Sequence, residues 1–205
     1  MMKDKMKILI RLILIITIWS FTWGVCIWAD SYSSMLESAG VVKDTFYVDS
    51  EKLVPSMIIH KLEDDGWRWS LVSMKEMAKQ KERQLNYIPS GICNYVQKRI
   101  YLINDETLNK NYDEPDIMAT HVFCHEVGHA IANYLDDSDL SDEFKEIYCA
   151  AFDKEYISPY QKDNNCECYA EAFRVLTIDQ NTVLEKAPKL GGYVLRDVRT
   201  MMEMR

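Results

Sequence analysis

The stretch "ATHVFCHEVGHAIANYL", residues 119–135, places three histidines at positions 121, 125 and 129. Side chains four apart share one face of an α-helix, because a turn takes about 3.6 residues. Pro115 suits a first helical turn, and Ile117, Val122, Val127, Ala130, Ile131 and Tyr134 keep one flank apolar as far as Leu135. The spacing therefore predicts a helix with HEVGH near its middle.

HEVGH fits HExxH, in which two histidines one turn apart offer two nitrogens to one zinc ion. The intervening glutamate, Glu126, lies against the open coordination position and can take a proton from water there. A catalytic zinc needs a third protein ligand. The segment "NNCECYAEAF" supplies Glu167 and Glu171, one turn apart on another helix, and Glu167 follows His125 by 42 positions. One carboxylate can reach the metal while the other accepts the ring N–H of a ligating histidine. Tyr169, Ala170, Ala172 and Phe173 imply that this helix is buried, where two carboxylates without a cation would be costly. Gly128 lets another element approach the histidine helix closely. His121 lies one turn earlier, about 6 Å along the axis, so it is read as a neighbour of the ligands or a residue of the cleft rim.

The rest of the chain sets the frame. Residues 12–29 carry no charge and follow Lys3, Lys5, Lys7 and Arg11, which reads as a signal peptide or an uncleaved membrane anchor over residues 1–30. Trp19, Trp23 and Trp28 resemble an interfacial belt and favour the anchor. Either reading places the remainder outside the cytoplasm, secreted or tethered. Residues 31–45 read as a tether and residues 46–205 as one folded domain. A net charge of -8 leaves no basic stripe, which argues against nucleic acid as a partner. Of the six cysteines, five lie beyond the apolar segment; most read as small buried hydrophobes, with room for a single bridge.

Between the tether and the histidine helix, a helix is expected over "DSEKLVPSMIIHKLEDDGW", stopped by Gly66, then a strand at "WRWSLV". A surface helix opens at Ser73 and Glu76 in capping-box spacing. "GICNYVQKRIYLIND" reads as a hairpin turning at Gln97 and Lys98. Its second strand, with Arg99, Ile100, Tyr101 and Leu102, is the best candidate for an edge that pairs with an extended peptide, or equally a plain structural strand. After the histidine helix come three more: "SDEFKEIYCAAFDKEY", "CECYAEAFRVL" capped by Asn164 or Asn165, and "APKLGGYVLRDVRTMMEM". The fold class is α+β, a small mixed sheet with helices followed by a helical half.

Three pieces in this order, "HEVGHAIANYL", "YQKDNNCECYAEAFRVL" and "LEKAPKL", resemble the catalytic domain of anthrax lethal factor and its small secreted relatives, including the clostridial Pro-Pro endopeptidases. The resemblance spans roughly residues 113–200. It implies a zincin-like metalloendopeptidase acting on a peptide or protein substrate, with Zn2+ on His125, His129 and Glu167, Glu126 as general base and acid, and Glu171 supporting a ligand. It also implies that Tyr160, seven residues ahead of Glu167, hydrogen-bonds the oxyanion. Cys166 and Cys168 depart from the family pattern, and their thiolates are potential competitors for zinc. Two other readings stay open: a catalytically silent, membrane-tethered zinc-binding module, and a zinc hydrolase of a non-peptide amide.

Overall fold

A computed structural model describes residues 46–80, 87–151 and 157–204. The apolar N-terminal segment and the tether lie outside the described residues. No helix among the described residues is long and apolar enough to cross a membrane.

The chain is α+β and mostly helical. Helices α1 (Tyr47–Leu53) and α2 (Ser56–Asp64) stand where one helix was expected. The break is at Pro55, whose ring disfavours helical backbone at the preceding Val54, and Val54 and Pro55 are both extended, with ψ of 131° and 127°. Gly66, at φ 96°, turns the chain out of α2. Strand β1 (Arg68–Val72) follows, then α3 (Met74–Gln80). The expected capping box closes α3: Glu76 Oε2 accepts from the Ser73 N–H at 2.9 Å, and Ser73 Oγ accepts from the Glu76 N–H at 3.3 Å.

Strands β2 (Gly91–Asn94) and β3 (Arg99–Ile103) form the hairpin. The sheet order is β1-β3-β2, with β1 parallel and β2 antiparallel to β3, so the sheet is mixed. This order corrects the reading of the peptide-binding edge. Arg99, Ile100, Tyr101 and Leu102 belong to the central strand, whose main chain is paired on both sides, and Ile100, Tyr101 and Leu102 are buried. The edge strand beside the histidine helix is β2.

The short helix α4 (Asp105–Asn111), not foreseen from the apolar pattern, starts at Asn104, whose side chain accepts from the Thr107 N–H at 3.1 Å. The histidine helix, α5 (Pro115–Tyr134), has proline in its first turn as expected, although Ile117 there is exposed. From Glu126 to Ala132 it is buried continuously, and it packs against α1, β2, β3 and above all α7 (Asn165–Ile178). Three small residues in that run, Gly128, Ala130 and Ala132, let neighbours close in from several sides. Between α5 and α7 lie a 3-10 turn (Ser138–Leu140), α6 (Asp142–Ala151) and a second 3-10 turn (Pro159–Lys162). The chain ends with α8 (Gln180–Lys186), unforeseen and capped by Asp179, and α9 (Pro188–Glu203), the expected last helix.

Candidate metal centre

Two packed helices build the centre. On α5, the four-residue step turns His125 and His129 the same way, with ring centroids 4.9 Å apart. On α7, Asn164 caps the first turn by accepting from the Glu167 N–H at 3.0 Å, which places Glu167 within that turn and Glu171 one turn further. The helices approach at Gly128, where a Cβ would lie 2.8 Å from Ala170 Cα and 3.1 Å from the Ala170 carbonyl oxygen. Any side chain at 128 would wedge the helices apart, as the sequence reading required.

Across that contact, Glu167 Oε2 lies 3.0 Å from His125 Nε2, and Glu167 Oε1 lies 3.7 Å from His129 Nε2. One ligand atom from each of the three residues lies within 4.8 Å of the others. Atoms on a tetrahedral zinc with bonds of about 2.0–2.1 Å are separated by about 3.3 Å, so small adjustments bring this trio onto one ion. Two imidazoles and a carboxylate suit zinc, and both rings present Nε2 to the common point. The residues fit a zinc ion.

Each Nδ1 has its own partner. Glu171 Oε2 is 3.4 Å from His125 Nδ1, and Glu171 is itself gripped by Arg174 Nε at 2.8 Å and Nη2 at 2.5 Å. The buried carboxylate thus has a guanidinium that the sequence reading did not pair with it, although the i,i+3 spacing was visible. The Tyr95 hydroxyl lies 3.3 Å from His129 Nδ1. Tyr95, in the β2–β3 turn, was also missed, since nothing in the spacing links positions 95 and 129.

Electrostatics follow the same wiring. Burial alone would lower the pKa of His125, but its hydrogen bonds to Glu167 and Glu171 outweigh that and raise it to about 10. Burial works against ionisation of Glu167 as well, yet His125 and His129 hold its carboxyl well below the usual range. For Glu171, burial is likewise overcome, by Arg174 first and His125 next. Glu126 moves the other way: burial raises its pKa, the two histidines offset this in part, and Glu167 adds to it. The Cys93 N–H donates to the Glu126 carboxylate. Gly91 makes this fit possible, since a Cβ there would come within 2.6 Å of Glu126 Cγ and Oε1. Edge strand β2 therefore lies directly on the acid.

His121 is half-buried one turn from the trio, and the nearby charges acting on it are Arg174 and Glu171; burial, then Arg174, lowers its pKa. The Tyr160 backbone falls in the second 3-10 turn, and its side chain lies outside the described residues. Cys93, Cys124, Cys149, Cys166 and Cys168 are unbridged. Cys168 is fully buried, and burial followed by a hydrogen bond to Asp139 pushes the Cys166 thiol up to about 12, which keeps it protonated. A scan against protein-family models found none that matches the chain, and a search of curated proteins found no match.

Proposed function

We propose that this chain is a zinc metalloendopeptidase of the zincin type, with His125, His129 and Glu167 as ligands and Glu126 as general base. The observation that carries the reading is the trio of ligand atoms within 4.8 Å of one another, with the Glu126 carboxyl buried beside it. The resemblance of residues 113–200 to the lethal-factor catalytic domain supports the same assignment.

A zinc ion held there supplies Lewis acidity, lowering the pKa of a water and polarising the substrate carbonyl. Glu126 takes the proton from the attacking water and returns it to the leaving amine. Burial raises its pKa, which favours uptake of that proton. The Cys93 N–H and the space left by Gly91 hold the carboxyl in place during the exchange. Glu171 accepts the Nδ1 proton of His125 and fixes that ring with Nε2 toward Glu167. The role of Tyr160, a neutral donor to the oxyanion, comes from the resemblance. Strand β2, in place of β3, is the element suited to pair with an extended peptide or protein substrate.

The test is a peptide-library profile of the zinc-loaded protein beside its Glu126→Gln variant. Cleavage should fall by roughly 10²-fold or more in the variant while zinc content is unchanged. Cleavage that survives the substitution would remove Glu126 from the mechanism. Inactivity of the parent on every peptide would favour a zinc-binding module or a hydrolase of other amides.

A further inference from the structure

The β2–β3 turn is held more firmly than a four-residue surface connection requires. Lys98 adopts a left-handed backbone, φ 46°, and its ammonium grips Asp65 Oδ2 at 2.7 Å and the Asp65 carbonyl at 3.0 Å. The Gln97 N–H donates to Asn94 Oδ1 at 2.9 Å, and Gln97 Oε1 accepts from the Tyr101 hydroxyl at 2.7 Å. The Lys98 carbonyl accepts from the Arg68 N–H at 3.0 Å, tying the turn to β1. A non-glycine residue at positive φ is uncommon and persists where its surroundings over-determine it. Meanwhile Val96, at the tip, is 97% exposed.

What these restraints hold still is Tyr95. Its ring stands edge-on between fully buried Trp67, at 6.5 Å between centroids, and His129, at 6.4 Å. Its hydroxyl faces His129 Nδ1 at 3.3 Å. A phenol is neutral near pH 7, so the hydroxyl brings no charge to the ring.

We infer that Tyr95 is a positioning residue for the metal centre: its hydroxyl accepts the Nδ1 proton of His129 and aims Nε2 at the point shared with Glu167. The inference rests on the zinc reading proposed above. With Nε2 on a metal, Nδ1 carries the ring proton, and an acceptor there fixes both tautomer and orientation. His129 thereby receives from the sheet what His125 receives from Glu171 on α7. The two ligands on one helix are braced from opposite sides, one by a buried carboxylate and one by a neutral phenol.

The experiment measures zinc affinity of the full chain, by competition with a chromogenic chelator, for the parent, Tyr95→Phe and Val96→Ala. Tyr95→Phe keeps the ring contacts and removes only the oxygen, so the metal-free melting temperature should not change. Its zinc affinity should fall roughly tenfold or more, and the visible bands of the cobalt-substituted form should shift. Its kcat should fall with KM unchanged, while Val96→Ala matches the parent throughout. Parent-like affinity and cobalt spectrum in Tyr95→Phe would overturn the positioning role and leave the zinc reading intact. A parent chain that binds neither zinc nor cobalt would overturn both.

Discussion

Three histidines at equal spacing on one helix have three different chemical lives. His125 sits between two glutamates, His129 between Glu167 and the Tyr95 phenol, and His121 beside the Glu171–Arg174 pair. The difference for His125 is measurable. Its pKa is raised to about 10 in the metal-free protein, so at pH 7 the imidazolium prevails and zinc must displace a proton from it. Binding at pH 7 should therefore release about one proton from His125, read with an indicator dye in weak buffer. Zinc affinity should climb as pH rises from 7 toward 10 and level off above, because the competing proton is then gone. Proton-free binding at pH 7 would show that the carboxylates do not hold His125 charged. At this scale the histidine pair and two candidate carboxylates were legible, since residue type and helical spacing carry them. Tyr95 and Arg174 were not: a partner across the fold leaves no periodicity, and an i,i+3 pair on a helix is usually just a solvated face.

At the scale of elements, the contact between α5 and α7 decides whether a site exists. A methyl at 128 would meet the Ala170 main chain at 2.8 Å, and main chain cannot swing aside as a side chain can. Gly128→Ala should destabilise the protein by about 1–3 kcal/mol, seen as a lower denaturation midpoint. It should also weaken zinc binding, since the histidines ride on one helix and Glu167 on the other. A parent-like midpoint with parent-like zinc affinity would mean that the helices part without cost. The long elements were readable because their apolar positions repeat many times. The split at Pro55 was signalled by proline itself, but the apolar pattern continued across it and concealed the break. Helices α4 and α8 are too short to display a period; a single Asn or Asp cap announces each.

Across the whole molecule, a zinc ion on this trio would bridge α5, which carries the sheet, to α7, which carries the C-terminal helices. Whatever binds only the folded state adds its binding free energy to stability. At a free zinc concentration of about 1,000 times Kd that is roughly 4 kcal/mol. The melting temperature should therefore rise by several degrees with zinc, reverse with a chelator, and barely respond in His129→Ala. A melting curve indifferent to zinc would count against the trio as a binding site. The order of strands belongs to this scale too. The α+β class, the histidine pair, two candidate carboxylates on a second helix and the close approach at Gly128 could all be read from the chain alone. All of these follow from residue type and short-range period. Packing alone makes β3 central, lays β2 on Glu126, turns the Tyr95 hydroxyl to His129 and sets Arg174 against Glu171. Those depend on which surfaces meet once the chain has packed, and strand alternation is the same for a central strand as for an edge.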